Sequence, residues 1–394
     1  MDRKKNVPKI RFQNFEDEWL DSTIGRHISL LNGRAYKQEE LLDEGKYKVL
    51  RVGNFNTNSK WYYSNLELEE NKYVNKGDLL YLWATNFGPE IWTEEKAIYH
   101  YHIWKLEFDR TEINQDYLNI WLESDKNKIQ QNTNGSTMVH ITKTMMEERG
   151  ISLPNFDEQS AIGSLFRTLD DLLASYKDNL ANYQSLKATM LSKMFPKAGQ
   201  TVPEIRLDGF EGEWEIKRAD EIFKSVSEKN RASLPVLSAS QIDGMVLRDE
   251  IGIDIKYDEA TLNNYKVVKP GQFVIHLRSF QGGFALSKLE GITSPAYTII
   301  DFIDKANNLP DFWNSILTSR DFIKRLETVT YGIRDGKSIS FKDFSSLKFV
   351  FPEFKEQQAI GLYFSNLDNL INSYQEKISQ LETLKKKLLQ DMFI

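Results

Sequence analysis

Two α+β domains, separated by a pair of long helices that form an antiparallel intramolecular coiled coil, make up the fold class this sequence predicts, with a pseudo-twofold relation overall. Three observations predict it: an internal repeat, a helical stripe that closes each copy, and strand-rich inserts between the matched ends. In the first part of the repeat, VPKIRFQNFEDEW from Val7 matches VPEIRLDGFEGEW from Val202 at eight of 13 positions. In the second part, PNFDEQSAIG from Pro154 through Phe195 matches PEFKEQQAIG from Pro352 through Phe393 at 18 of 42 positions. Between these ends, residues 20–153 and 215–351 hardly resemble each other. Alike frames with unlike inserts predict a shared structural task for the frames and different choices by the inserts. The domain boundaries follow as 1–153, 154–197, 198–351 and 352–394.

The repeated tails are helical. Ile162, Leu165, Leu169, Leu172, Tyr176, Leu180, Tyr183, Leu186 and Met190 recur at steps of three and four, which places them on one stripe of a helix. Ile360, Tyr363, Leu367, Leu370, Tyr374, Ile378, Leu381, Leu384 and Leu388 repeat the offsets, so each helix is the natural partner of the other. At a rise of 1.5 Å per residue, a helix of about 38 residues is roughly 57 Å long, which suits a spacer.

The inserts carry short β-rich runs: KVLRVGNF at Lys48, DLLYLWAT at Asp78, HIWKLEF at His102, FVIHLRSF at Phe273 and YTIIDF at Tyr297. DYLNIWLESDKNKIQQ at Asp116 and DFWNSILTSRDFIKRLE at Asp311 have helical spacing at equivalent points. The two inserts are therefore expected to share a fold despite their sequences.

Composition bounds the function. With 40% hydrophobic and 27% charged residues the chain reads as folded and globular. A net charge of −6 disfavours nonspecific coating of nucleic acid, so any DNA reader must gather its basic groups locally. Cysteine is absent, which excludes disulfides, thiolate zinc and a cysteine nucleophile. The beginning MDRKKNVPKIRF lacks an apolar stretch, and no run reaches the roughly 20 residues of a membrane span, so a cytoplasmic protein with no membrane contact is expected.

No catalytic constellation is legible. GIRDGKS at Gly332 has its first glycine one residue too close for a phosphate-binding loop. His100 and His102 alternate like neighbours on one strand face and read as packing residues, with no metal expected. Neither a GxSxG elbow nor an HExxH helix occurs. Adjacent prolines are absent as well, so the [ND]PP[FYW] motif of adenine methyltransferases is missing and the chain is expected to be no enzyme.

Each insert has a glycine-led turn rich in hydroxyl and basic residues, NGSTMVHITK from Asn134 and YGIRDGKSISFK from Tyr331. Around the second, Arg320, Lys324, Arg325, Arg334, Lys337 and Lys342 outnumber Asp321, Glu327 and Asp335. Side chains able to address phosphates and base edges make the DNA-contact candidates. In the first insert they are Arg34, Lys37, Arg51, Asn54, Thr85, Asn86, Ser136, Thr137, His140 and Lys143. In the second they are Lys229, Arg231, Ser240, Gln241, Arg278, Ser279, Gln281, Arg334, Lys337 and Ser338.

The PxFxEQxAIG starts at Pro154 and Pro352, the PxIR and FExEW motifs from Pro8 and Pro203, and the GDLL and PGQFVI strands near Gly77 and Gly271 together resemble the specificity subunits of type I restriction-modification systems. The resemblance covers the whole chain. It implies two target recognition domains, each reading half of an asymmetric bipartite site in double-stranded DNA. It also implies two bound methyltransferase subunits, which carry S-adenosylmethionine while this chain carries no cofactor, and motor-nuclease subunits that join for cleavage. On that reading Phe156, Glu158, Gln159, Phe354, Glu356 and Gln357 fix the helix starts or contact the subunits; Glu and Gln in a first turn also act as local caps. Two other classes stand beside it: a single-chain restriction enzyme, and a coiled-coil adaptor without DNA specificity.

Overall fold

The computed structural model describes residues 7–55, 58–84, 87–132, 141–240, 243–250, 259–276, 283–329 and 340–393. The chain divides into two units, Met1–Lys177 with Glu376–Ile394, and Asp178–Gln375. Each has its own apolar core.

In the first unit a four-stranded antiparallel sheet runs Ile28–Asn32, Ile103–Phe108, Leu79–Leu82, Gly88–Ile91 in spatial order. Leu79, Tyr81, Trp104 and Leu106 bury one face of it against the helix Gln115–Asn132. Leu80, Leu82 and Ile103 bury the other beneath a second sheet, Tyr62–Ser64, Tyr47–Leu50, Ala97–Tyr99, Tyr73–Val74. Both faces being covered explains why LLYL reads as a continuous apolar run without alternation.

The second unit repeats this sheet with Phe223–Val226, Thr298–Phe302, Phe273–Ile275 and Phe284–Leu286 in the same order. Gly77 and Gly271, at φ +91° and +84°, turn the chain into equivalent strands, and their amides donate to Trp92 and Ser287 carbonyls at 2.7 and 2.8 Å. The inserts share a topology, as expected from their equivalent strands. One expected helix does not run through: Asp311–Glu327 falls into Pro310–Leu317 and Arg320–Val329. Thr318 Oγ1 bonds back to the Asn314 carbonyl at 2.6 Å, while Ser319 Oγ accepts the Phe322 amide at 3.2 Å, so one hydroxyl ends a helix and the next starts another.

A short antiparallel ladder closes each insert. Leu20–Thr23 pairs with Gly150–Leu153, and Glu215–Arg218 with Lys348–Phe351. The chain then enters the long helices Phe156–Lys193 and Phe354–Asp391. Within the first unit the two helices run antiparallel: Lys177 meets Glu382 at 2.7 Å, Asp170 meets Lys385 at 2.8 Å, and the Phe166 and Phe393 rings lie 6.0 Å apart. Within the second, Tyr183 lies 5.4 Å from Tyr374, Lys187 pairs with Asp368, and Phe195 stacks on Phe364. The expected apolar stripe drifts, as 3.6 residues per turn requires. Leu172, Leu186 and Leu384 are exposed, whereas Phe166, Leu173, Phe364 and Ile371 are buried.

The two repeated motifs meet inside each unit. Arg11 Nε and Nη2 donate to the Glu158 carboxylate at 2.6 and 2.7 Å, and Arg206 repeats this with Glu356 at 2.8 and 2.7 Å. Each guanidinium also binds its own segment, Arg11 the Asp17 carbonyl and Arg206 the Glu211 and Gly212 carbonyls. The same segments reach the distal end of the partner helix, where the Ile10 amide donates to Asp391 O at 3.0 Å and the Ile205 amide to Lys193 O at 2.9 Å. A bidentate, charge-assisted fork thus joins residues 147 and 150 positions apart in sequence.

Candidate nucleic-acid interface

The contact candidates of the first insert fall into three settings. Arg34 is held by Glu40 through two bonds, 2.7 and 3.0 Å, and lies 5.3 Å from the Tyr36 ring. Arg51 and Asn54 build the loop that follows Tyr47–Leu50: Arg51 stacks 4.4 Å from the Tyr62 centroid, and Asn54 Nδ2 donates to the Asn58 and Lys60 carbonyls. Lys37 and Lys143 are exposed, Lys37 4.0 Å from Glu39 two residues on and Lys143 3.6 Å from Glu147 on the following turn. Thr85, Asn86, Ser136, Thr137 and His140 lie outside the described residues.

In the second insert, Lys229 and Arg231 are exposed on either side of Asn230, whose φ of +64° makes the turn. Arg231 lies 3.8 Å from Glu228, which also receives Lys269 at 2.7 Å. Ser240 Oγ donates to Asp243 Oδ2 at 3.0 Å at the tip of the hairpin Leu237–Ser240 and Gly244–Leu247. Gln241, Arg278, Ser279, Gln281, Arg334, Lys337 and Ser338 lie outside the described residues.

The fold gathers some of these candidates at one end of the first sheet. The Arg34 amide donates to Tyr99 O and its carbonyl accepts from the Tyr101 amide; the His100 amide donates to Leu50 O; the Trp83 amide donates to His102 O at 3.2 Å. Arg34, Arg51, Trp83 and the segment 100–102 therefore share a neighbourhood. Residues 100–102 turn rather than continue a strand, because the Ile103 amide donates to His100 O at 3.0 Å, and this corrects the expectation of a strand face. The turn sets Tyr101 out into solvent at 39% exposure and leaves His100 half-buried. Burial pushes the His100 imidazole down to about 4, with His102 and Arg51 adding to the effect, so it is neutral at physiological pH.

Sequence reading missed Trp83 and Tyr101 and set aside His102. The available signal was the run YHYHIW, which packs five aromatic or imidazole rings too densely for a strand with one buried face.

The helix-start residues are placed differently from one another. Glu158, Gln159, Glu356 and Gln357 are buried at 0–2% exposure. Gln159 Oε1 accepts the Asn114 amide at 2.9 Å while its Nε2 donates to the Glu112 and Pro154 carbonyls; Gln357 treats Leu309, Asn307 and Pro352 in the same way. These side chains tie each long helix to the insert's own helix, and Phe156 alone of the six is an exposed large apolar group. Among the described residues no group of three or more His, Asp or Glu could hold a metal ion, and no helix is long and apolar enough to cross a membrane.

Residues 16–182 match the family model described as the type I restriction modification DNA specificity domain. The chain is also 24% identical, over 409 aligned positions covering 98% of it and 95% of the relative, to the type I restriction enzyme MjaVIII specificity subunit of Methanocaldococcus jannaschii. The similarity to a type I specificity subunit thus runs nearly the whole length of the chain. The chain is also 24% identical over 175 positions, 44% of its length, to the EcoBI specificity subunit of Escherichia coli, of which that stretch covers 36%. In fold it is similar to the type I restriction-modification S subunit from M. genitalium, with a TM-score of 0.63 at 17% identity over 98% of this chain and 99% of that one.

Proposed function

We propose that this chain is a type I specificity subunit that reads a divided DNA site, each unit contacting one half of the site, and holds two methyltransferase subunits against it. The observation that carries the reading is a shared frame with chemical difference: both units present the same four-stranded sheet and the same clasp, with different outer strands and different side chains at the loop ends. A shared scaffold with variable loops is how one fold serves several recognition choices. S-adenosylmethionine belongs to the methyltransferase subunits and cleavage to motor-nuclease subunits, so this chain supplies recognition and no catalysis, inside the cytoplasm.

Coexpression with a methyltransferase subunit, followed by long-read mapping of modified adenines, tests this. A split motif with a fixed gap is the expected result; an assembled complex that leaves no motif would favour an adaptor without DNA specificity. Replacing residues 20–153 by the corresponding insert of another specificity subunit is expected to change one half of the motif and leave the other intact. A change in both halves would end the assignment of one half to each unit.

The basic segment around Tyr331 supplies phosphate contacts in this scheme. Changing Arg334 and Lys337 to alanine is expected to lower the slope of log affinity against log salt by about two, since each phosphate contact contributes roughly 0.9. An unchanged slope in a salt titration would move the phosphate contacts elsewhere.

A further inference from the structure

We propose that Trp83, Tyr101 and His102 of the first unit form a base-contacting platform that receives the 5-methyl group of a thymine in the major groove. The proposal rests on the DNA-reading function above and names what this end of the sheet reads. Trp83 Nε1 donates to the Tyr101 carbonyl at 2.9 Å, which pins the indole to the turn. Its ring meets His102 edge-on at 4.9 Å and stacks 5.9 Å from Trp104, a buried core residue, so the platform is rooted in the sheet. Tyr101 lies 4.0 Å from His102 and is the outermost ring. A rigid aromatic surface loses little side-chain entropy on contact and suits an apolar group.

The second unit carries a related contact near the corresponding end of its sheet. There the rings of His276 and Tyr297 meet at 6.2 Å just beyond the pair Ile275 and Thr298, which corresponds to Tyr81 and Trp104 in the first unit, so this contact lies one pair short of the position of Trp83 and His102. Both sheets carry an imidazole–aromatic contact near this end, one pair apart in register. The charges beside the first platform suit DNA without reading guanine. Arg34 is taken up by Glu40, while Arg51 has a ring and a carbonyl as partners and keeps its charge for a phosphate.

The test uses the assembled subunit and methyltransferase complex on duplexes carrying the mapped motif, with each thymine replaced in turn by uracil, which lacks only the methyl. Wild type is expected to lose roughly three- to tenfold in affinity at one thymine of the half-site assigned to the first unit by insert exchange. Tyr101→Ala is expected to bind the thymine duplex that much more weakly and to stop distinguishing thymine from uracil, whereas Tyr101→Phe keeps the distinction. An unchanged melting curve for Tyr101→Ala shows that folding is retained. Indifference of wild type to every replacement, a first half-site without thymine, or full discrimination by Tyr101→Ala would overturn the platform while DNA reading stands. Absence of any sequence preference in wild type would overturn both.

Discussion

Glu158→Ala is expected to destabilise the first unit by on the order of 3 kcal/mol, because it strands a guanidinium whose fork has lost its carboxylate. Glu158 is fully buried and receives both Arg11 bonds, so water cannot replace the lost partner at the carboxylate position. For a unit of this size that corresponds to a Tm lower by roughly 6–12 °C. Glu356→Ala is expected to cost the second unit a similar amount, since the Arg206 fork has the same geometry. The double change Arg11→Met with Glu158→Leu is expected to recover much of the loss, because an apolar pair of similar volume has no charge to desolvate. Thermal melts followed by circular dichroism decide it. A Tm within about 2 °C of wild type for Glu158→Ala would show that the fork contributes little beyond packing.

Gly163→Ala and Gly361→Ala are expected to differ although the two glycines occupy the same place in the AIG repeat. A methyl group at Gly163 would lie 2.8 Å from Asp116 Cβ and from the Tyr117 amide nitrogen, inside the start of the helix Gln115–Asn132. Backbone cannot step aside without moving the whole helix end, so about 2 kcal/mol of destabilisation is expected, after the alanine's own helix preference is counted. At Gly361 the nearest atom is Leu309 Cδ2 at 2.9 Å, the far end of a flexible side chain, and the next is 3.4 Å away. Rotation of that leucine relieves the contact, so the change there is expected to stay within about 1 kcal/mol in either direction. Urea midpoints for the two variants measure the difference. Equal shifts would mean that the two helix seats are built alike and that the Gly163 clash is relieved.

The repeat made most of the architecture legible. Because PxIR and EQxAIG occur twice, the sequence announced two units built alike, and the sheets follow. The stripe was legible in period but not in phase: Leu172 and Leu173 are adjacent, and only packing decides that the second is inside. The Arg11–Glu158 fork used residues visible in both copies, yet nothing local links positions 147 residues apart; their joint recurrence was the available signal. The contact candidates were the least legible part. Arg34 and Asn54 have the right chemistry for DNA, but Glu40 and the Lys60 carbonyl claim them, and such partners are invisible until the loop is folded. Aromatic residues were passed over because composition reads them as core. Tyr101 is outside because a turn, not a strand, carries it.

The clasp that closes each insert has an evolutionary consequence. Leu20–Thr23 and Glu215–Arg218 are joined to their partners by main-chain ladders, and Leu20 and Ile216 point their side chains largely into solvent. A ladder imposes register and length but hardly any residue identity on the incoming strand. A gene crossover at this junction would thus deliver an intact foreign insert onto an unchanged frame, and, with each unit reading half a site as proposed, a lineage could replace half of its recognition vocabulary in a single recombination event, without passing through intermediates that read nothing.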